Sequence, residues 1–349
     1  MRPWMKDSLL MGAIGVGALW LTRQAIRRNR WFEFAGKSVI VTGGSRGLGL
    51  VIARKLVSAG AHVAICARTE EDVHEAVKEL RTLGSHVFGA TCDVRDRKAV
   101  QAFVDRTVTQ FGSVDVLFNV AGVMKVGPLD AMIAQDFREA MEINCWGPLN
   151  TMLTVLPVMR HRGWGRIVNI ASIGGKLAVP HMLPYDASKF ALVGLSTGLR
   201  TELMQDGILV TTACPTLMRT GSPRNAEFKG QHRKEFTWFS IGGSLPWISM
   251  SAENAADQVL RACQNGDGEV YITNVLSPIV WAARLAPAAT NELLGLVNRL
   301  LPEHGGIGQT SAYGYESYSQ LSPSILTTLG DNSADRNNEL RPRTVQKTS

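Results

Sequence analysis

The sequence lacks the residue patterns of a disulfide-stabilised or metal-binding protein. Its five cysteines are widely spaced over 349 residues, and neither a Cys-x-x-Cys pair nor a His-Glu-x-x-His motif occurs. An odd number of separated cysteines, three of them inside apolar runs, indicates reduced core residues in a reducing compartment. We therefore expect neither a disulfide framework nor a metal site.

A concentrated basic patch is also missing. The formal net charge is +7, but the basic residues are divided among residues 23–37, 219–234 and 341–347. The sequence contains no single basic helix and no repeat that interleaves aromatic and basic residues. This distribution argues against a nucleic-acid partner.

Short β-branched runs alternate with helical spacings from Lys37 to about residue 275. Strands separated by helices of about ten to thirty residues predict βαβ units with right-handed crossovers. We predict an α/β fold, a doubly wound parallel sheet in one domain over residues 36–275. No internal repeat or Pro/Gly-rich linker divides this domain.

The residues after this domain have a different composition. Residues 276–302 predict two short amphipathic helices broken at Pro287, with an apolar face formed by Leu293, Leu296, Val297 and Leu300. After Pro302 the chain is rich in Ser, Thr, Asn and Gly. We predict a mostly disordered tail over residues 303–349.

A glycine-rich turn follows the first predicted strand in VIVTGGSRGLGLVIARKLVSAG. Glycines 43, 47 and 49 permit a tight turn and let the backbone approach a pyrophosphate, while the following helix offers free N–H groups. A strand before, a helix after and a second strand about twenty residues later favour a dinucleotide site over an ordinary βα turn.

Two arginines favour the phosphorylated form of such a cofactor. The second strand ends at Arg68, where an NAD site would carry an acidic residue for the ribose 2′-hydroxyl, and Arg46 lies inside the glycine turn. Guanidinium groups suit a 2′-phosphate, so we predict NADP(H) rather than NAD(H). In the alternative, Arg68 is a solvated strand end and Glu70 or Glu71 binds the ribose.

The segment YDASK places Tyr185 and Lys189 on one face of a predicted helix. A phenol with an ordinary pKa near 10 is a poor acid–base group at neutral pH, but a neighbouring ammonium favours the phenolate. We expect Lys189 to lower the pKa of Tyr185 and make it a tuned proton donor. Ser172 ends a predicted strand thirteen residues earlier.

Together these motifs resemble the short-chain dehydrogenase/reductase family, classical type, over residues 36–275. The matching segments occur in family order: TGGSRGLG at 42–49, Asp93, NVAG at 119–122, Asn144, Ser172 and YDASK at 185–189. The resemblance implies a Rossmann-type sheet of seven strands. It also implies a catalytic tetrad of Asn144, Ser172, Tyr185 and Lys189.

In the family's mechanism, Tyr185 exchanges a proton with the carbonyl or alcohol oxygen while hydride passes to or from the nicotinamide. Ser172 holds the substrate oxygen, Lys189 binds the nicotinamide ribose, and Asn144 holds a water. The resemblance places the cofactor against a longer set: Gly43, Ser45, Arg46, Gly47, Leu48, Gly49, Arg68, Asp93, Val94, Asn119, Ala121, Gly122, Tyr185, Lys189, Pro215 and Thr220.

Two positions depart from the family pattern. Val120 replaces an asparagine in NVAG, a change that a structural turn should tolerate. Thr216 replaces the glycine that commonly follows Pro215, which leaves the backbone beside the nicotinamide less defined. Thr220, at the position of the family threonine that contacts the carboxamide, is retained.

An insertion over residues 216–250, without strand character, occupies the position of the family's substrate lid. It carries four aromatic residues, Phe228, Phe236, Trp238 and Phe239, beside Lys229, Arg233 and Lys234. An apolar wall with a basic rim suits a lipophilic substrate such as an acyl chain, a retinoid or a steroid. Internal packing of the aromatic residues is the alternative.

Residues 1–35 contain the uncharged stretch SLLMGAIGVGALWLT at 8–22. As a helix it covers roughly 22 Å, against ~30 Å for the bilayer core, and Arg23, Arg27, Arg28 and Arg30 follow it. The absence of an Ala-x-Ala-like cleavage site disfavours an export signal. We predict a short membrane anchor with the enzyme on the cytoplasmic side; a helix packed on the protein's own surface is the alternative.

We therefore expect a membrane-associated, NADP(H)-dependent oxidoreductase that interconverts a carbonyl and an alcohol. The alternative is a non-catalytic protein that uses the same scaffold to sense NADP(H) at a membrane. The family resemblance further implies a homodimer or a homotetramer.

Overall fold

The computed structural model describes residues 17–18, 20–245, 249–272, 277–322, 324 and 327–340. Its strands in chain order are β1 Ser38–Thr42, β2 His62–Ala67, β3 Val87–Thr91, β4 Val116–Asn119, β5 Lys125–Val126, β6 Gly165–Ile170, β7 Ile208–Pro215, β8 Met218–Arg219, β9 Glu227–Phe228, β10 Met250–Ser251, β11 Glu269–Ile272 and β12 Ala312–Tyr313.

Seven of these strands form one parallel sheet in the order β11-β7-β6-β4-β1-β2-β3. The strand order reverses at β1, so the carboxyl ends of β1 and β4 border a crevice in which α/β sheets bind ligands. The predicted doubly wound α/β fold with seven strands is confirmed. The short strands β8, β9 and β10 correct the prediction that residues 216–250 lack strand character.

Helices cover both faces of the sheet. They are α1 over residues 20–30, α2 Gly47–Ser58, α3 Glu70–Leu80, α4 Arg97–Phe111, α5 Ala134–Met141, α6 Gly147–Arg162, α7 Leu183–Leu203, α8 Ser222–Asn225, α9 His232–Ser244, α10 Ala252–Asn265, α11 Ser277–Leu285, α12 Pro287–Asn298 and α13 Thr328–Arg336.

Alternating residues of β1 supply the two halves of the core. Val39 and Val41 face a cluster with residues of α2 and α10, whereas Ile40 faces a cluster with residues of α4 and α6. All three valine and isoleucine side chains are almost fully buried. Burial on both faces explains why β1 is a continuous apolar run rather than an alternating one.

Helix α1 is held to the domain by its carboxyl end. Arg27 donates through two guanidinium nitrogens to the Asp267 carboxylate at 2.7 and 2.6 Å, and Arg166 donates to the backbone oxygen of Arg30 at 3.0 Å. Two of the four arginines after the apolar stretch are thus engaged by the domain, while Arg23 and Arg28 are exposed.

Residues 1–16 and 19, most of the stretch predicted to be an anchor, lie outside the described residues. Among the residues that are described, no helix combines the length and the apolar character needed to cross a bilayer. The membrane anchor stays a prediction.

The carboxyl-terminal prediction is partly wrong. Helices α11 and α12 fall where two amphipathic helices broken at Pro287 were expected, and Leu293 and Leu300 are 60% and 85% exposed. Residues 303–322 and 327–340 are not a disordered tail, because β12 pairs with β9 and α13 packs beside α9 and β8. The serine side chains Ser319 and Ser322 of this polar segment bond to hydroxyl groups of the lid. Residues 341–349 lie outside the described part.

Helix α4 offers a test of local stability. Its N-cap, Asp96, accepts hydrogen bonds from the backbone N–H groups of Lys98 at 2.8 Å and Ala99 at 3.3 Å. We expect Asp96→Ala to lower the free energy of unfolding by about 1 kcal/mol, because these N–H groups lose their partner. Urea denaturation measures the change. Asp105→Ala, on the exposed face of the same helix, is the control; an equal loss there would contradict the capping role.

Candidate active site

The glycine-rich turn between β1 and α2 is built by close backbone contacts. Gly43 and Gly47 have positive φ angles of 66° and 55°, and the Gly43 N–H donates to the Cys66 carbonyl at 2.8 Å. A Cβ atom on Gly43 would lie 2.8 Å from the Ala121 backbone. Glycine is therefore required here for both the backbone angle and the approach of the β4 loop.

The amino-terminal end of α2 carries the remaining residues predicted in this turn. Ser45, Leu48 and Gly49 are buried, and Arg46 caps the helix in an extended conformation. The Arg46 guanidinium donates to the Asn225 side-chain oxygen at 3.2 Å, so this arginine points toward the lid. A helix amino terminus lined with glycine fits a pyrophosphate group.

The residues predicted for the adenosine end lie after β2 and β3. Arg68 directly follows β2 and is exposed, and Asp93 accepts from the Arg95 backbone N–H at 3.0 Å and from its guanidinium. Burial alone would raise the pKa of Asp93, but hydrogen bonds from Arg95 and the charges of Arg95 and Arg68 lower it below its ordinary value. Val94 packs against Gly147 at the start of α6.

The Asn119 side chain bonds to neighbouring elements of the sheet, and its predicted position beside the cofactor stays a prediction. Its amide nitrogen donates to the Asn169 oxygen at 2.8 Å, and its oxygen accepts from the Thr151 hydroxyl at 2.6 Å. The Thr42 hydroxyl accepts from the Val120 N–H at 3.1 Å. Since Val120 joins the turn through its backbone, its departure from the family asparagine is tolerated.

Asn144 lies fully buried in a π-helical segment, Glu142–Trp146, between α5 and α6. Its oxygen accepts from the Val123 N–H at 2.9 Å, and its nitrogen donates to the Val123 carbonyl at 3.0 Å and to the Ser188 hydroxyl at 2.9 Å. These bonds fix the loop after β4 against α7. Single-turn π-bulges are frequent at functional sites.

Helix α7 presents Tyr185 and Lys189 to the end of β6. The Lys189 ammonium donates to the Ile170 carbonyl at 2.8 Å and lies 5.7 Å from the centre of the Tyr185 ring, while Ser172 lies close enough to the Tyr185 hydroxyl to affect its pKa. A Cβ atom on Gly122 would lie 3.1 Å from the Asn144 oxygen and 3.8 Å from the Lys189 nitrogen. The structure thus brings the four predicted catalytic residues together beside the predicted cofactor-binding turn.

The pKa values of the pair differ from the expectation. Burial raises the pKa of Tyr185 to about 12, although the hydrogen bond with Ser172 acts in the opposite direction. Burial also lowers the pKa of Lys189 to about 8. The predicted lowering of the Tyr185 pKa is therefore wrong for this structure, because loss of solvation outweighs the opposing effect of Ser172.

The segment after β7 accommodates its unusual Pro-Thr pair. Pro215 ends the strand, and buried Thr216 donates through its backbone N–H to the Ile272 carbonyl at 3.0 Å. This bond continues the pairing of β7 with β11. Thr220 is also buried, and its hydroxyl donates to the Ser222 hydroxyl at 2.8 Å.

The lid differs from the predicted apolar wall with a basic rim. Phe228, Phe236 and Phe239 are almost fully buried and pack on one another, so most of the lid's aromatic surface is internal packing. Lys229 is buried as well, with its ammonium 2.6 Å from the Asp136 carboxylate, and is not part of a rim. The aromatic cluster nevertheless extends to Tyr185 and Met182.

Sequence reasoning missed three groups at the site. His181, with a φ of +66°, contacts the buried Glu235 carboxylate at 2.8 Å and so joins the segment before Tyr185 to the lid helix α9. Burial raises the pKa of Asp186 to about 8, and this carboxyl accepts from the Val179 N–H at 2.7 Å. Glu339 lies against Gly47. Asp186 lies inside the YDASK motif but is given no role by it, and no motif marks His181 or Glu339.

Known proteins share this architecture. The family model described as short chain dehydrogenase matches residues 37–229. A Streptomyces coelicolor protein, named provisionally as a ketoacyl reductase, is 42% identical over 183 residues, which are 52% of this chain and 70% of that protein. The Mycobacterium tuberculosis protein named provisionally as oxidoreductase SadH is 32% identical over 243 residues, which are 69% of this chain and 87% of the relative.

Two solved structures agree with these relatives. A short-chain dehydrogenase from Streptomyces avermitilis aligns with a TM-score of 0.65 at 27% identity, covering 75% of this chain and 97% of that one. A Burkholderia phymatum enzyme in complex with NAD aligns with a TM-score of 0.68 at 27% identity, covering 74% and 96%. With the matched motifs and the seven-stranded sheet, these similarities establish that the chain belongs to the short-chain dehydrogenase/reductase family.

Proposed function

We propose that this protein is a membrane-associated, NADP(H)-dependent oxidoreductase that interconverts a carbonyl and an alcohol on a lipophilic substrate. The observation that carries the reaction type is the convergence of Ser172, Tyr185 and Lys189 beside the glycine-rich turn, with Asn144 behind them. Family membership makes the protein an oxidoreductase with a nicotinamide cofactor. That cofactor, when bound, supplies or accepts the hydride.

The proton is handled by Tyr185. With a pKa of about 12, its hydroxyl is protonated at neutral pH, which is the form that donates to a carbonyl oxygen. Ser172 lies beside the same hydroxyl, and we expect it to hold the substrate oxygen.

The preference for NADP(H) is supported by the charges at the end of β2. Arg68 follows this strand directly, whereas Glu70 and Glu71 begin α3 and are exposed. A guanidinium at the strand end suits a 2′-phosphate, whereas the two glutamates lie two and three residues farther along the chain, in the first turn of α3. Arg46 lies in the neighbouring turn and bonds to Asn225.

The substrate class is supported by the surface around Tyr185. Met124, Val179 and Trp238 are partly buried members of the apolar cluster that includes Tyr185. Relatives from Streptomyces coelicolor and Streptomyces violaceoruber carry names that assign ketoacyl reduction to them. We therefore propose a ketone on an acyl chain, with retinoid-like or steroid-like carbonyls as the other members of the class.

Membrane association is supported by residues near the described start of the chain. Trp20, Leu21 and Ile26 on α1 are 58%, 63% and 42% exposed, although the carboxyl end of the same helix is held by Asp267. Such a helix projects apolar side chains that a membrane interface would cover. Exposed Arg23 and Arg28 suit the cytoplasmic side. A homodimer or homotetramer remains part of the proposal.

The catalytic assignment is tested by Tyr185→Phe. Removal of the hydroxyl should lower the rate of NADPH oxidation by about 10²- to 10⁴-fold, because general-acid catalysis is lost. A panel of lipophilic ketones, including 3-ketoacyl thioesters, supplies the substrates. Tyr315→Phe in the carboxyl-terminal segment is the control and should retain full activity. Unchanged turnover in Tyr185→Phe would favour the non-catalytic NADP(H)-sensing alternative.

Cofactor preference is tested by Arg68→Ala. We expect the dissociation constant of NADPH to rise about tenfold or more and that of NADH to change little, since only NADPH offers the 2′-phosphate. Fluorescence titration with both cofactors measures the effect. Arg81→Ala, at the opposite end of α3, is the matched control. Equal weakening of both cofactors would contradict a role in phosphate recognition.

The membrane proposal is tested by deleting residues 1–22, which leaves the contacts of Arg27 and Arg30 with the domain in place. The full chain should float with vesicles that contain anionic lipid, and the shortened protein should remain in the soluble fraction because the apolar stretch is gone. Unchanged cofactor affinity controls for folding. Continued flotation would instead assign binding to the exposed leucines of α12.

A further inference from the structure

The carboxyl-terminal segment crosses from the lid to the glycine-rich turn. Helix α13 packs beside β8, where the Ser333 hydroxyl donates to the Arg219 carbonyl at 2.7 Å and Ala334 is fully buried. Farther along, the Arg54 guanidinium on α2 donates to the Arg336 carbonyl at 2.9 Å. The end of this helix is therefore anchored on the helix that begins at the turn.

Asn337 meets the start of α2 directly. Its carbonyl accepts a hydrogen bond from the Gly47 N–H at 2.9 Å, and its side-chain oxygen accepts from Arg54 at 2.7 Å. Asn337 is fully buried in this position. One N–H of the helix amino terminus, the part of the turn that a phosphate would approach, is thus taken by the chain itself.

Glu339 fills the space above the same glycine. A Cβ atom on Gly47 would lie 2.9 Å from one Glu339 carboxylate oxygen, while the other oxygen accepts from the Gly221 N–H at 2.5 Å. The Glu339 carbonyl accepts from the Asn225 side chain at 3.2 Å. The carboxyl group is therefore enclosed between the glycine-rich turn and the segment after β7, the two elements that border the predicted cofactor cleft.

A buried carboxylate and a pyrophosphate cannot share this position. Both are anions that a helix amino terminus attracts, and the glycine that lets a pyrophosphate approach the backbone here admits the carboxylate instead. Burial raises the pKa of Glu339 to about 7, although the bond from Gly221 and the charge of Arg46 oppose this. Burial therefore disfavours the charged form of Glu339. Because the bound carboxylate has lost solvation, a more highly charged group such as a pyrophosphate can displace it more readily.

We propose that residues 337–339 are an intramolecular competitor of the cofactor's pyrophosphate, so that cofactor binding requires this segment to leave the turn. The proposal rests on the assignment of the turn as the dinucleotide site. It does not depend on the choice between NADP(H) and NAD(H), because both cofactors carry the pyrophosphate.

Displacement of residues 337–339 from the turn would also affect the lid. The same carboxyl-terminal segment contacts α9 through the hydroxyl pairs Thr237–Ser319 and Ser240–Ser322, each at 2.7 Å. When Glu339 leaves, the Gly221 N–H beside Thr220 loses its partner and becomes available. Cofactor entry is thereby linked to the elements that cover the proposed substrate site.

The test measures cofactor affinity in the full-length protein. We expect Glu339→Gln to lower the dissociation constants of both NADPH and NADH by about tenfold, because the neutral amide competes less with a pyrophosphate. Asp335→Asn removes the same charge from an exposed position on α13 and should change neither constant by more than about twofold. Unchanged or weakened binding in Glu339→Gln would overturn the proposal.

Hydrogen exchange of the unmodified protein gives an independent readout. Saturating NADPH should increase amide exchange in residues 328–340, since the competitor leaves its site. Slower exchange would overturn the proposal and make the segment a wall of the loaded cofactor site. If NADH binds more tightly than NADPH in every variant, the proposed cofactor preference fails, whereas faster exchange with either cofactor still supports the competitor.

Discussion

A chain of buried hydrogen bonds sets the position of the central elements. The Thr151 hydroxyl on α6 donates to Asn119 on β4, the Asn119 amide donates to Asn169 on β6, and the Asn169 amide donates to Ser196 on α7. Each of these side chains is buried, so breaking any link would leave a polar group without water. The chain therefore fixes the register of two strands and two helices relative to one another.

The end of α7 that carries the predicted catalytic residues depends on this constraint. Lys189 lies about two turns before Ser196, and its ammonium bonds to the Ile170 carbonyl, one residue after Asn169. The Ser188 hydroxyl accepts a hydrogen bond from the side-chain amide of Asn144, which lies in the π-helical segment. Because the helix is fixed at both places, Tyr185 is held against Ser172 with little freedom, and positioning of this kind contributes to catalysis. The Asn119 side chain thus supports the site through the sheet.

The fold and the catalytic constellation follow from local patterns in the chain. Apolar runs such as residues 38–42 predict buried strands, and the spacing of Tyr185 and Lys189 places them one helical turn apart without knowledge of the rest. The pKa of Tyr185 could not be obtained in this way, because it depends on how completely other elements exclude water from the hydroxyl. The burial of Lys229 likewise could not be predicted from neighbouring residues, because it depends on an ion pair with Asp136, which is 93 residues away.

The sequence by itself determined the parallel sheet, the glycine-rich turn and the reactive helix, since strand periodicity, glycine conformations and helical spacing are properties of neighbouring residues. Only the tertiary structure decided that Arg27 bonds to Asp267, 240 residues away, and that Glu339 lies on Gly47. A polar segment such as residues 327–340 has few apolar residues, so its composition does not predict an ordered structure. Its hydrogen-bond partners exist only after the lid and the turn have folded into one surface.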